Sequence, residues 1–291
     1  MSPIELKRMI KTFVRCAMRV QIKRNRSNLN PYFCPMKITD THAHLYLKDF
    51  AEDLTEIMQR AEEAEVERVY LPNIDSSTIP LMKSAVDQFP ERLFPMMGLH
   101  PGSVDEGFEK ELSIIEKELR AGKYWAVGEI GIDLYWEKKF FDQQVESFKR
   151  QIEWAKELKL PIVIHCRGAF DEIFEVLDEV NDDRLFGIFH CFTGTVDQGR
   201  RIIDYGGFVL GIGGIVTFKN AGLDQVVKQF DLKDLVIETD APYLAPAPNR
   251  GKRNESSYVR LVAQKIADLH EVSLEKVAEV TTANSNRIFH S

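Results

Sequence analysis

No stretch of this sequence approaches the roughly 20 consecutive apolar residues of a membrane-crossing helix, so no membrane partner is expected. Cysteine is scarce, and its four occurrences, Cys16, Cys34, Cys166 and Cys191, form no C-x-x-C pair. That spacing suggests no disulfide framework and favours a reducing, cytoplasmic setting. Repeats at solenoid spacing and low-complexity linkers are missing as well, which leaves no reason to divide the body of the chain. Positive charge is in short supply over most of the length. Eight of the 38 basic residues precede Met36, against one of the 45 acids, so 30 and 44 remain beyond Pro35, a balance of −14. So acidic a body is poorly suited to sequence-independent tracking along nucleic acid, which relies on many phosphate contacts. It leaves room for a local site that handles one or two phosphates.

Residues 1–35 differ in kind from the rest, being basic, acid-poor and rich in Asn and Ser before Pro31 and Pro35. Two readings stand for this leader. One is a targeting or nucleic-acid-binding segment. The other is a disordered start-site extension ahead of a true start at Met36. The second is preferred, because a strand begins directly after Met36 and the pattern that follows needs nothing upstream.

The chain of 291 residues, 44% hydrophobic and 29% charged, can build a large core, as two average domains or one α/β barrel. Strand-like runs fall near 37–41, 66–72, 92–99, 124–130, 160–165, 185–190, 207–212 and 234–239. Amphipathic helical stretches separate them, and two more follow near 256–269 and 273–288. Ser273 reads as a helix N-cap, and Pro161 follows the helix ending near Leu160. Eight strands alternating with helices predict a single (β/α)8 barrel, of the TIM type, over 36–291.

What is present in that frame is a set of metal-binding residue types at strand ends. His42 and His44 follow the first strand one residue apart, so both point to one face while Ala43 points away. Glu129 ends the fourth strand, His165 the fifth, His190 the sixth and Asp240 the eighth. In a barrel the chemistry sits at the C-terminal face, so these six side chains are expected to converge on one mouth. Taken singly, a histidine at a strand end is more often a hydrogen-bonded packing residue. Five strands offering His, Glu or Asp at the same end point to metal ligation. Cys166 and Cys191 directly follow two of the histidines, and strand alternation sends both toward the helices as packing residues.

The surrounding motifs resemble those of the TatD family of metal-dependent deoxyribonucleases, a branch of the amidohydrolase-like barrels, over essentially all of 36–291. They are Asp40-Thr41-His42-Ala43-His44-Leu45, Gly98-Leu99-His100-Pro101 and Val127-Gly128-Glu129-Ile130-Gly131-Ile132-Asp133. Val163-Ile164-His165-Cys166-Arg167, His190-Cys191-Phe192-Thr193-Gly194, Glu238-Thr239-Asp240-Ala241-Pro242-Tyr243-Leu244 and Arg250-Gly251-Lys252-Arg253-Asn254-Glu255 complete the match. The resemblance implies two divalent metal ions, zinc, manganese or magnesium. One would be held by His42, His44, Glu129 and Asp240, the other by Glu129, His165 and His190, with Glu129 bridging. It also implies a metal-activated water, with Asp240 as ligand and candidate general base. His100, Arg167 and Arg253 are then candidates to hold a substrate phosphate, each arginine having a loop salt bridge as its bland alternative. Glu238 is expected to anchor the mouth through Arg or Lys. Two departures from the family pattern, Gly168 and Ser256, touch no ligand position.

The implied activity is a hydrolase acting on DNA, trimming single-stranded ends as a 3′–5′ exonuclease, with no obligate protein partner. A metal-dependent esterase or amidase, such as a D-aminoacyl-tRNA deacylase, would use the same ligands, because activated water attacks a carbonyl as readily as phosphorus. A non-catalytic barrel with structural metals is the third reading. It is disfavoured because structural sites are closed by protein ligands.

Overall fold

The computed structural model describes residues 36–135 and 138–290. The expectations for the 1–35 leader fall outside the described residues. Eight strands follow in chain order: β1 (Ile38–Asp40), β2 (Val66–Leu71), β3 (Leu93–Pro95), β4 (Val127–Asp133), β5 (Ile162–Arg167), β6 (Gly187–Phe189), β7 (Phe208–Ile212) and β8 (Leu235–Ile237). They lie in two parallel sheets, β1-β2-β3 and β4 through β8 in order. Backbone hydrogen bonds join the sheets at both seams. At the first seam Trp125 N–H donates to Pro95 O (2.9 Å) and Gly128 N–H to Met97 O (3.0 Å). At the second, Thr41 N–H donates to Ile237 O (3.1 Å) and Asp240 N–H to His42 O (2.9 Å). The cycle of eight strands is therefore complete, the (β/α)8 architecture that the alternation predicts.

The helices are α1 (Leu54–Glu63), α2 (Ile79–Gln88), α3 (Phe108–Ala121), α4 (Phe141–Leu158), α5 (Phe170–Val180), α6 (Val196–Asp204), α7 (Leu223–Val227), α8 (Val259–His270) and α9 (Leu274–Phe289). Each turns an apolar stripe inward, as α3 does with Leu112, Ile115 and Leu119. Ser273 caps α9 by accepting a hydrogen bond from Lys276 N–H. Thr195 and Gln198 form a reciprocal capping box that starts α6. Among the described residues no helix is long and apolar enough to cross a membrane.

The cylinder is filled rather than hollow. Tyr70, Met96, Ala126, Val163, Ile188, Val209 and Val236 pack into one interior cluster with Ile288 and Phe289 from the end of α9. That helix is tied to the N-terminal ends of the strands: Thr282 Oγ1 donates to Lys37 O and Asn284 Nδ2 to Leu235 O. The Phe289 and Tyr70 rings stack with centroids 3.7 Å apart. Strand periodicity then supplies the chemistry. Two residues beyond Val163, Ile188 and Val236, on the same face, stand His165, His190 and Glu238.

Candidate active site

The carboxylate of Glu129, buried in β4, is the centre to which the other side chains refer. A register irregularity between Gly128 and Ile130 in the β4–β5 ladder marks its position. Its neighbour Gly131 has φ +141, and a Cβ there would lie 2.0 Å from His165 O, so only glycine lets the two strands approach.

The two oxygens of Glu129 face different groups. Oε2 lies 3.2 Å from His42 Nε2 and 3.7 Å from His44 Nε2. Asp240 Oδ1 closes that side, 3.5 Å from His44 Nε2 and 3.9 Å from His42 Nε2. Oε1 lies 2.8 Å from His165 Nδ1, 3.4 Å from His190 Nε2 and 3.7 Å from His100 Nε2. All six residues expected as ligands are thus brought together at the C-terminal end of the barrel. Within them, His42, His44 and Asp240 offer ligand atoms close enough to hold one ion, as do His42, Glu129 and His190; outside the six, His100 does so with Glu129 and His165, and Cys191 with His190 and Asp240.

Most of the imidazoles are aimed from behind. Tyr46 Oη donates to Pro72 O (2.6 Å), so its oxygen is left to accept from His44 Nδ1 (3.1 Å), which turns His44 Nε2 toward the centre. His190 Nδ1 sits 2.8 Å from Glu238 Oε1. His165 Nε2 donates to Asp133 Oδ2 at 2.9 Å. A carboxylate or hydroxyl behind each ring settles which nitrogen faces inward, the usual support of a metal-binding histidine. His42 differs. Among the described residues neither of its buried ring nitrogens makes a hydrogen bond, although Nε2 lies 3.2 Å from Glu129 Oε2, and its ring stacks on His190 at 3.5 Å. Leaving a buried polar atom unsatisfied costs about 1–3 kcal/mol, a cost that a cation at Nε2 would relieve. The donor set, imidazole nitrogens with carboxylates between them, fits a divalent ion on that observation.

The centre attracts positive charge: burial opposes protonation of His165 and His190, yet the carboxylates facing them raise both pKa values, that of His190 to about 10. Burial opposes ionisation of Glu129, yet the histidines around it, with a hydrogen bond from His165, hold its carboxyl well below the usual range. Burial likewise opposes the charge on Asp240, and the neighbouring His44, His190 and His42 bring it down. Burial and then His190 lower the pKa of His42, so that ring stays neutral. Burial also pushes His100 down to about 3. Its Nδ1 accepts from Gly102 N–H (2.9 Å), which leaves the proton on Nε2, directed at His165 and Glu129. His100 is therefore a neutral donor at the mouth.

A cavity of about 590 Å³ opens over these groups, lined by His44, His100, Glu129, Asp133, His165 and Arg167, with His190, Asp240, Tyr243 and Leu244 among others. Arg167 reaches it, its guanidinium 4.1 Å from the Tyr135 ring centroid. Arg253 does not. Its fork is engaged by Asp53 (2.9 and 2.5 Å) and the Asp49 carbonyl, and it lies over the Phe50 ring. The loop salt bridge, not a substrate contact, is what the structure gives it.

Two further expectations are corrected. Among the described residues Glu238 finds no Arg or Lys; it anchors His190 and accepts from the Cys191 N–H (2.6 Å). The cysteines are not turned wholly toward the helices, since both line the cavity. Cys191 has φ +46, so the strand geometry on which alternation rests has already ended there. Cys166 keeps part of its packing role at the edge of the core. Burial pushes the Cys166 thiol up to about 12 and the Cys191 thiol well above its ordinary value.

Sequence reasoning also passed over two glutamines of α4. Gln151 Oε1 accepts from Leu99 N–H (2.7 Å) and its Nε2 donates to Leu99 O (3.2 Å). One helical face along, Gln144 does the same for Asp133, at 2.8 and 3.2 Å. Each amide imitates a strand neighbour where the sheet has none, fixing the residue before His100 and the carboxylate behind His165. The signal was available: polar residues seven apart on the buried face of an amphipathic helix.

Residues 39–290 match the family described as TatD related DNase. The metal-dependent hydrolase YabD of Bacillus subtilis is 40% identical over 251 residues, 86% of this chain and 98% of its own length. The metal-dependent hydrolase YcfH of Escherichia coli K12 is 32% identical over 262 residues, 88% and 96% of the two chains. Among solved structures, YjjV, a TatD homologue from E. coli K12, superposes with a TM-score of 0.82 at 26% identity, covering 88% of this chain and 99% of that one. A hydrolase of the TatD family from Entamoeba histolytica shares the fold, with a TM-score of 0.74 at 21% identity over 87% and 98% of the chains. With the family match running from the first strand to the end of the last helix, this chain belongs to the TatD-related DNase family.

Proposed function

We propose that the protein is a two-metal hydrolase of phosphodiester bonds in DNA, trimming single-stranded 3′ ends. The observation that carries this reading is the division of Glu129, whose Oε2 addresses His42 and His44 while Oε1 addresses His165 and His190. One carboxylate between two histidine pairs suits a bridge between two cations. His42, His44 and Asp240 would hold one ion, His165 and His190 the other. A pair of divalent ions so held supplies Lewis acidity and a water of lowered pKa. Asp240, kept ionised and set beside His44, is the base that takes the proton of the attacking water. His100 donates its Nε2 proton to a phosphoryl oxygen, and the neutral state imposed by burial keeps that donor available across ordinary pH. Arg167 supplies a planar fork for a second phosphoryl oxygen.

The test is incubation of the pure protein with end-labelled single-stranded DNA and manganese, magnesium or zinc. Stepwise shortening from the 3′ end that stops on chelation is expected. An intact substrate with every metal, alongside a folded protein, would contradict the reading.

One observation favours a second reading. Arg167 is the one arginine or lysine among the described residues lining the cavity, a modest grip for a polyanion. A carbonyl substrate, such as the ester of a D-aminoacyl-tRNA, asks less of that grip. Loss of DNA cleavage in Arg167→Ala with retention of ester hydrolysis would place both substrate classes in one pocket.

A further inference from the structure

Aromatic surface stands at the mouth that the chemistry at Glu129 does not use. Among the described residues six large apolar side chains are exposed, and three of them, Tyr135, Tyr243 and Leu244, lie in the loops after β4 and β8. Scattered single exposures are ordinary on any protein surface. Here their placement is not scattered. Strands four apart in a cylinder of eight lie on opposite sides, so Tyr135 and Tyr243 stand across the mouth from each other with Glu129 between.

Each tyrosine is tied to a carboxylate residue of the centre. Tyr243 N–H donates to Asp240 O (2.8 Å), and its own carbonyl accepts from Asn254 Nδ2 (2.6 Å). Its ring centroid lies 6.2 Å from that of His44, and the side chain remains 52% exposed. Tyr135 N–H donates to Asp133 Oδ1 (2.9 Å), the residue whose other oxygen holds His165. Its ring, 63% exposed, carries the Arg167 guanidinium over one face. The loops are thus held while both side chains stay more than half exposed, which lowers the ordering cost of binding.

We propose that Tyr243 and Tyr135 are stacking platforms for the two bases that flank the scissile phosphate of a single DNA strand. The inference rests on the phosphodiesterase reading and adds how the strand is held. An acidic body with one arginine in its cavity has little charge with which to retain a polyanion. Stacking supplies affinity without charge, and it tolerates any sequence because every base has a π face. Bases in a duplex are already stacked and paired, so platforms of this kind select unpaired strands.

The experiment compares two 5′-labelled strands of equal length, one natural and one with abasic residues on both sides of the bond first cleaved. The unaltered protein is expected to cleave the natural strand with a kcat/KM higher by roughly 5- to 150-fold for each of the two bases removed, the fold-change equivalent to about 1–3 kcal/mol per stacked base. In Tyr243→Ala the ratio falls to the share of the one base still stacked, while Tyr243→Phe keeps it; Tyr135→Leu lowers it in the same sense. Equal cleavage of both strands by the unaltered protein overturns the platforms and leaves the phosphodiesterase reading standing. Cleavage of neither strand overturns that reading and the platforms with it. Because the substrate comparison uses the unaltered chain, no outcome depends on whether a variant folds.

Discussion

The two ends of the barrel are made from the same strands and obey opposite rules. At the N-terminal end Val163, Ile188 and Val236 meet Ile288 and Phe289 in an apolar plug, with Tyr70 stacked on Phe289. Two residues further along the same strands, His165, His190 and Glu238 crowd around Glu129, with Glu238 Oε2 and both His42 nitrogens making no hydrogen bond among the described residues. One end satisfies itself. The other concentrates buried polar groups whose needs a ligand would meet, and the closed end supplies the rigidity that keeps them there.

That contrast can be broken at either end, and Glu129→Gln should give the largest effect. Removing the shared negative charge between the histidine pairs is expected to lower kcat by about 10³-fold. Thermal stability in metal-free buffer should fall as well, because a carboxyl held well below its usual range stabilises the fold through its charge. Steady-state kinetics beside melting curves check both parts. Phe289→Ala is the converse: a loss of about 3–5 kcal/mol in stability, read by denaturant unfolding, with kcat unchanged within a few-fold at a temperature where the protein stays folded. A large fall in kcat there would mean that the ends are coupled more tightly than their packing suggests.

The glutamines of α4 lie between these extremes. Gln144→Leu and Gln151→Leu each leave backbone groups of Asp133 or Leu99 without a partner, at a cost of about 1–3 kcal/mol. Activity should fall about 10- to 100-fold in Gln144→Leu, through Asp133 and His165, with metal affinity weakened in proportion. Gln144→Glu offers the same acceptor and separates geometry from bulk; if it matches the leucine variant in both readouts, the amide donor to Asp133 O is essential. Smallest of all is Arg253→Met, which breaks a half-exposed ion pair with Asp53. A stability change below about 1 kcal/mol and an unaltered KM are expected. A tenfold rise in KM would return Arg253 to the substrate.

Much of this arrangement was readable in the amino-acid sequence, for identifiable reasons. Alternating apolar runs placed the eight strands within a few residues, and the barrel rule then put His42, His44, Glu129, His165, His190 and Asp240 at one end. What escaped was set by contacts distant in sequence or by broken periodicity. Asp53, which engages Arg253 from 200 residues away, is one of many acids in an acidic chain, and nothing local marks it as the partner. Cys191 was misplaced because its positive φ ends the alternation one residue earlier than the pattern suggests. The carboxylates behind the histidines were visible as residue types within the motifs. Their roles were not, since which nitrogen of which ring each one meets depends on strand register, and β4 departs from a regular register at Glu129 itself.

The most direct measurement is anomalous scattering from crystals grown with manganese. Two peaks are predicted, one near Glu129 Oε2 between His42, His44 and Asp240, the other near Oε1 beside His165 and His190. A single peak, or metal bound away from Glu129, would contradict the shared carboxylate on which the proposed chemistry depends.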